Sequence, residues 1–258
     1  MIRFRSLGSG STGNATLVEA GNGIATSRVL IDCGFGLKHL EARLERAGLT
    51  AADIDAVFIT HEHGDHIGCA HAFSRRYGTV VWMSEGTWLA SGSRDYEGRL
   101  RIARDGEAIE VGELHLRPFT VPHDAREPLQ LRCTDGARHL GVLTDLGHAT
   151  PHVIAQLGGL HSLLLEFNHD PDMLAMSSYP PFLKQRVGGK WGHLSNDAAS
   201  SIAQALCSEH LRHLVAAHLS EQNNKPEIVR QAMAQVLGAN ADEMLTANAA
   251  EGTPWLDV

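Results

Sequence analysis

Residues Thr60-His61-Glu62-His63-Gly64-Asp65-His66 follow the apolar run Ala56-Val57-Phe58-Ile59, which has the length and composition of a buried parallel strand. Three imidazoles and two carboxylates within six consecutive positions cost too much free energy to bury as ordinary core. They need a partner of opposite charge, and a metal ion meets that need. A solvated polar loop after a strand is the alternative interpretation, and we favour the metal site.

The spacing within this segment offers ligands from two sides. In an extended segment His61 and His63 point the same way, because side chains two positions apart share one face. Asp65 and His66 come after Gly64, which lets the backbone turn, so they approach from another direction. We therefore expect two pairs of ligands around a common space, and this arrangement suits two metal ions better than one.

The composition is that of an ordinary globular protein. Apolar residues make up 43% and charged residues 20% of the 258 positions, which leaves room for a large core. No stretch is rich enough in Pro, Gly or Ser to act as a linker, so we expect a single domain over residues 1–258. The four cysteines lack CxxC spacing, so neither a zinc knuckle nor a disulfide framework is indicated.

Charge and hydropathy restrict the partners of the chain. No segment resembles a signal peptide or reaches the length of a membrane span, so we expect a cytoplasmic protein without a membrane partner. The net charge of −8 argues against nonspecific binding of nucleic acid by the whole surface. A local basic groove remains compatible with that total.

Periodicity and turn signals predict strands and helices in alternation. Strands are predicted within 2–19 on both sides of a Gly/Ser-rich loop, and over 28–32, 56–59, 79–83, 108–110, 114–121, 129–134, 139–144, 162–166 and 214–217. Helices are predicted over 37–47, 68–77, from Thr150-Pro151, from Ser195 or Asn196 to about 209, and over 226–237. We expect a polar stretch over 84–106 and an irregular segment over 177–191.

Three further ligand-type residues stand at the ends of predicted strands. His123 follows the strand that ends near Val121, Asp145 follows Thr144, and His218 follows the apolar run 214–217. Catalytic groups in sheet-based folds collect at strand ends, where a rigid scaffold aims them into one crevice. Any one of the three alone is more often a surface or core residue, but together with HxHxDH they form a strong signal.

At this point the sequence resembles the metallo-β-lactamase fold superfamily, and more narrowly the YycJ/VicX/WalJ family, which is itself similar to tRNase Z. The resemblance runs over most of the chain. It is carried by the motif at 60–66 and by the phrases Ser6-Leu7-Gly8-Ser9-Gly10-Ser11, Leu30-Ile31-Asp32-Cys33-Gly34, Glu166-Phe167-Asn168-His169-Asp170, Gly192-His193-Leu194-Ser195-Asn196 and His218-Leu219-Ser220-Glu221-Gln222-Asn223-Asn224.

The resemblance implies an α/β protein with a four-layer αββα sandwich, two mixed sheets covered by helices. It also implies a ligand set for two divalent ions. One ion would be held by His61, His63 and His123, the second by Asp65, His66 and His218, with Asp145 bridging the two. Neutral imidazoles and carboxylates suit both Zn²⁺ and Mn²⁺, so the choice between the two metals stays open.

The resemblance further implies a catalytic group outside the ligand set. In tRNase Z a Glu–His pair at the places of Glu166 and His193 assists the departure of the leaving oxygen. We expect His193 to donate the proton and Glu166 to orient it, while Asp65 serves catalysis as a metal ligand. A purely structural role for Glu166 and His193 is the alternative.

Candidate substrate contacts lie between these two residues. Lys184, Arg186 and Lys190 are placed to meet a phosphate backbone, although a solvated loop face explains any single one of them as well. His169 is a further candidate, either for substrate or behind the ligands. Asp32 and Asp124 are candidates for orienting the ligand imidazoles through hydrogen bonds.

These features favour a dinuclear metal-dependent phosphodiester hydrolase, and the family resemblance points to a 5′→3′ DNA exonuclease with nucleic acid as its partner. The first alternative is a phosphodiesterase for small molecules, such as cyclic phosphates or phosphonate intermediates. The second is a regulatory or interaction protein that keeps the metal site for stability. A homodimer is compatible with the sequence.

Overall fold

Two seven-stranded β-sheets pack face to face in the computed structural model, which describes residues 1–258. The first sheet contains β1 Ile2–Gly8, β2 Ala15–Gly21, β3 Thr26–Ile31, β4 Ala56–Phe58, β5 Val80–Met83, β6 Leu100–Ile102 and β14 Leu256–Asp257. The second contains β7 Ile109–Val111, β8 Leu114–Thr120, β9 Leu129–Thr134, β10 His139–Leu143, β11 Ser162–Glu166, β12 His213–Ala217 and β13 Leu245–Thr246.

Nine α-helices lie along the chain between these strands. They are α1 Leu37–Arg46, α2 Gly64–Ile67, α3 Ala70–Tyr77, α4 Glu85–Ala90, α5 Pro151–Gln156, α6 Pro171–Met176, α7 Pro181–Val187, α8 Asn196–Leu206 and α9 Pro226–Leu237. None of these helices has the length and apolar character that crossing a bilayer requires.

Both sheets combine antiparallel and parallel pairs in a similar order. The first runs β14-β1-β2-β3-β4-β5-β6, and its pairs from β3 to β6 are parallel. The second runs β13-β12-β11-β10-β9-β8-β7, and its pairs from β10 to β13 are parallel. Because the carboxyl ends of parallel strands meet at one edge of a sheet, each sheet presents a row of strand ends for a site.

The buried apolar side chains form three layers of core. One layer lies between the two sheets and includes Val29, Val142 and Leu164. A second layer, which includes Leu165, lies where α5, α8 and α9 cover the second sheet. A third layer, which includes Leu30, lies where α1 and α3 cover the first sheet. Burial of each such side chain contributes about 1.5–3 kcal/mol. The αββα sandwich is therefore confirmed, while one domain over residues 1–258 stays a prediction.

Most predicted elements agree with the structure, and two segments do not. The stretch over 84–106 is not merely polar, because Ser84 caps α4 by accepting from the Thr87 amide at 3.0 Å, and β6 follows. The prediction of an irregular segment over 177–191 is wrong, since it contains α7. Pro180-Pro181 starts that helix, because proline's fixed φ and missing N–H suit the first helical position.

Candidate metal centre and active site

The segment after β4 enters the space between the two sheets and turns there. His61 and His66 are fully buried, and Asp65 lies in the first turn of α2. The turn packs closely on Gly34, where an added Cβ would lie 1.7 Å from the Asp65 carbonyl oxygen. A side chain at position 34 would therefore displace the segment that carries the imidazoles.

Asp32 orients the imidazole of His66 directly and that of His61 through Thr60. Its carboxylate lies 2.8 Å from His66 Nδ1 and accepts from the Thr60 amide and hydroxyl at 2.8 and 3.0 Å. The Thr60 hydroxyl gives its proton to Asp32, so it can accept the Nδ1–H of His61, which lies at 3.0 Å. In this network the Nδ1 atoms of His61 and His66 are hydrogen-bonded, so their Nε2 atoms are the ones that face the other candidate ligands.

Three imidazoles converge at the first position. His61 Nε2 lies 3.0 Å from His63 Nδ1, and His123 Nε2 lies 3.3 Å from the same atom. His123 Nδ1 donates to the Gly192 carbonyl at 3.0 Å, which leaves its Nε2 free. Nitrogen lone pairs at these separations repel one another unless a cation lies among them.

A second group lies beside the first. His218 Nε2 is 3.3 Å from Asp65 Oδ2 and 3.4 Å from His66 Nε2. Asp145 stands between the two groups, with one carboxylate oxygen 3.0 Å from His66 Nε2 and the other 3.7 Å from both His123 Nε2 and His218 Nε2. All seven predicted ligands are thus brought together, His61, His63, Asp65, His66, His123, Asp145 and His218.

The donor set fits divalent metal ions. Asp145 Oδ2 is buried and lies 3.0 Å from His66 Nε2, so this carboxylate depends on positive charge beside it. His66 Nδ1 is used by Asp32, so the ring nitrogen nearest Asp145 carries a lone pair when the imidazole is neutral. Imidazole nitrogens and carboxylate oxygens in mutual reach are the ligands of Zn²⁺ and related ions.

The pKa values of the histidines show where the site favours positive charge and where it disfavours it. Burial alone would lower the pKa of His66, yet the carboxylates of Asp145 and Asp32 raise it well above its usual range. Burial lowers the pKa of His61 well below its usual range and that of His123 to about 4. His61 and His123 are therefore neutral and free to bind a metal, and the place beside Asp145 attracts a cation.

Glu166 and His193 form a pair at the edge of this cluster. Glu166 ends β11 fully buried, and its Oε1 lies 2.6 Å from His193 Nδ1. The other carboxylate oxygen accepts from the amides of Leu146 and Leu194 at 2.9 and 3.2 Å. Burial opposes charge on the imidazole, but the Glu166 carboxylate raises the pKa of His193 to about 9.

A cavity of about 410 Å³ opens above the cluster, lined by Ser11, His63, Gly64, Asp65, Asp124, Asp145, Leu183, Arg186, Val187, Gly192, His193 and His218. Arg186 is the one predicted substrate contact in this lining, and its guanidinium binds Asp124 at 2.6 Å. The Lys184 amine donates to the Ala175 carbonyl at 2.5 Å, outside the lining. Lys190 is exposed and His169 is buried, and neither lines the cavity.

The sequence analysis did not predict part of the wall of this cavity. Leu183 and Val187 face the cavity from α7, a helix that the sequence analysis did not predict. Asn168 was also missed as a support of the cluster, since its side-chain amide donates to the His218 carbonyl at 3.0 Å. Pro180-Pro181 was the available signal for α7, whereas nothing in the local sequence connects Asn168 with His218.

Comparison with known proteins defines the class of this chain. A family model described as the beta-lactamase superfamily domain matches residues 27–219. The chain belongs to that superfamily and is a metal-dependent hydrolase.

Individual relatives narrow the comparison. The chain is 34% identical to exodeoxyribonuclease YycJ of Bacillus anthracis, over 92% of this chain and 89% of that protein. It is 30% identical to exodeoxyribonuclease WalJ of Streptococcus pneumoniae, over 93% and 90% of the two chains. Among solved structures, the metallo-beta-lactamase fold protein YhfI from Bacillus subtilis matches with a TM-score of 0.75 over the full length of both chains at 17% identity, which is a likeness of fold.

Proposed function

We propose that this protein is a dinuclear metal-dependent nuclease that degrades DNA from the 5′ end. The observation that carries the proposal is the seven-ligand cluster with a hydrogen-bonded Glu–His pair at its edge, under a cavity open to solvent. The two curated relatives described above are both named exodeoxyribonucleases. Their identity to this chain extends over about nine-tenths of each sequence, which supports a similar substrate here.

Two groups of residues would hold the metal ions. His61, His63 and His123 would hold one ion, and Asp65, His66 and His218 the other, with Asp145 between them. When bound, two divalent ions, Zn²⁺ or Mn²⁺, supply an activated water and neutralise charge on the phosphodiester. Asp32 fixes the orientation of His66 and, through Thr60, of His61, so that their Nε2 atoms would be available to the ions.

His193 would supply the proton that the leaving oxygen requires. Its Nδ1 is held by Glu166 at 2.6 Å, so Nε2 is the atom from which a proton can reach the cavity. The Glu166 carboxylate raises the pKa of His193 to about 9, which favours the protonated imidazole that this role requires. A deoxyribose alkoxide leaves poorly without a proton, and a positioned acid of this kind contributes about 10²–10⁴-fold to the rate.

The test is incubation of the protein with Mn²⁺ or Zn²⁺ and single- or double-stranded DNA that carries a label at the 5′ or the 3′ end. We expect 5′-labelled strands to release labelled mononucleotides first, while 3′-labelled strands shorten gradually. An Asp145→Asn variant is the inactive control. Hydrolysis of bis(p-nitrophenyl) phosphate without degradation of any polynucleotide would contradict the proposal and favour a phosphodiesterase for small molecules.

A further inference from the structure

Two exposed aromatic side chains are next in sequence to residues that line the candidate catalytic cavity. Phe182 is 72% exposed and Trp191 is 61% exposed, whereas side chains of this size are usually well buried. Phe182 precedes the cavity-lining Leu183 on α7, and Trp191 precedes the cavity-lining Gly192. We call Phe182 and Trp191 together the aromatic rim.

The main chain at Trp191 is fixed from two sides. A Cβ on Gly147 would lie 2.7 Å from Trp191 Cα and 2.0 Å from the Lys190 carbonyl oxygen, so the loop after Asp145 packs directly on this backbone. His148 Nδ1 donates to the Lys190 carbonyl at 2.8 Å, and its ring meets the Trp191 ring edge-on with centroids 6.3 Å apart. The Trp191 ring therefore has a defined place beside the site while most of its surface is open.

The segment that carries the aromatic rim is positively charged. Residues 173–196 contain Lys184, Arg186 and Lys190 and no Asp or Glu, in a chain whose net charge is −8. Arg186 is paired with Asp124, which leaves the two lysines as the cations of this segment without an acidic partner. Exposed rings interleaved with cations suit a single strand of nucleic acid, because bases stack on the rings and phosphates meet the cations.

We propose that the aromatic rim stacks unpaired bases of a single-stranded nucleic acid and thereby positions the phosphodiester that enters the cavity. This inference rests on the proposed nuclease function and adds the substrate class, a strand end with free bases. A base inside a duplex is already stacked on both sides, so a paired end must open before it can reach the rings. Phe182 and Trp191 act as positioning residues, since neither lines the cavity that holds the reacting atoms.

The test is equilibrium binding of the metal-loaded protein to a fluorescein-labelled oligothymidylate with phosphorothioate linkages, which resist cleavage. Trp191→Ala should raise the Kd by about tenfold, the effect of removing one base–aromatic stack. Phe182→Ala should raise it as well, and Trp191→Phe should keep most of the affinity because a ring remains. Ile24→Ala is the matched control, since Ile24 is a 97% exposed apolar side chain in the turn between β2 and β3.

The same preparations should hydrolyse bis(p-nitrophenyl) phosphate within a few-fold of the wild-type rate, because that ester has no neighbouring nucleotides for the aromatic rim to hold. Equal Kd values for wild type, Trp191→Ala and Ile24→Ala would overturn the inference. A wild-type protein that binds the strand through the two rings but degrades no polynucleotide would contradict the proposed function. The same result would support base stacking by the aromatic rim. If the wild type sediments as a dimer and the Phe182→Ala/Trp191→Ala variant as a monomer with unchanged Kd, the aromatic rim is a contact between two copies of the chain. That result would overturn the proposal.

Discussion

Asp145 is 1% exposed, and a carboxylate buried to this extent is costly unless a positive charge accompanies it. The imidazole nitrogens of His66, His123 and His218 lie 3.0 to 3.7 Å from its two oxygens. Histidines hold the pKa of Asp145 well below its usual range despite burial, so the carboxyl is ionised. A buried negative charge within reach of three imidazoles favours cations, and metal ions can take the place of the protons on these histidines, which is why this one residue indicates metal ions more strongly than the rest.

A second single residue, His193, gives a testable prediction. His193→Ala should lower kcat on DNA by about 10²–10⁴-fold, because the deoxyribose oxygen would leave without a proton. The same variant should hydrolyse bis(p-nitrophenyl) phosphate within a few-fold of wild type, since p-nitrophenolate is a good leaving group. Steady-state rates on both substrates, with metal content measured on each preparation, check this.

The matched control for His193 is His152→Ala, which removes an exposed imidazole of α5 that does not line the cavity. It should leave both rates unchanged. A His193→Ala protein with its metals and full activity on DNA would show that the pair formed with Glu166 is structural.

At the level of elements, local sequence predicted the strands well, and also that the candidate ligands stand at strand ends. The apolar run before Thr60 and the residues after β8, β10 and β12 carry their signal within a few positions, because strand and strand end are local features. Long-range packing carries no such signal. His218 and Asp32 have φ of 53° and 65°, a conformation rare for residues other than glycine, and only the surrounding structure explains it.

The loop after β10 yields a prediction on its contact with the segment before His193. A methyl group on Gly147 would collide with the Lys190 carbonyl, so Gly147→Ala should lower the free energy of unfolding by about 1–3 kcal/mol. Gly158→Ala is the control, because its Cβ would find its nearest neighbour at an ordinary 3.7 Å. Urea unfolding of both variants measures the difference, and equal stabilities would contradict the described packing.

On the scale of the whole molecule, the candidate site belongs to both sheets. The segment His61–His66 follows β4 of the first sheet, whereas His123, Asp145 and His218 follow strands of the second. Each proposed ion would therefore have ligands from both halves of the sandwich. Composition and periodicity could not predict that the halves face each other in this way, and the resemblance to a known superfamily supplied the expectation.

The number of metal ions per chain tests the central claim most directly. Protein saturated with Zn²⁺ or Mn²⁺ and then dialysed should contain two equivalents per chain by inductively coupled plasma mass spectrometry. His218→Ala should retain about one, because the group of His61, His63 and His123 stays complete. A wild-type protein that hydrolyses phosphodiesters fully with a single equivalent, or with none, would contradict the dinuclear site.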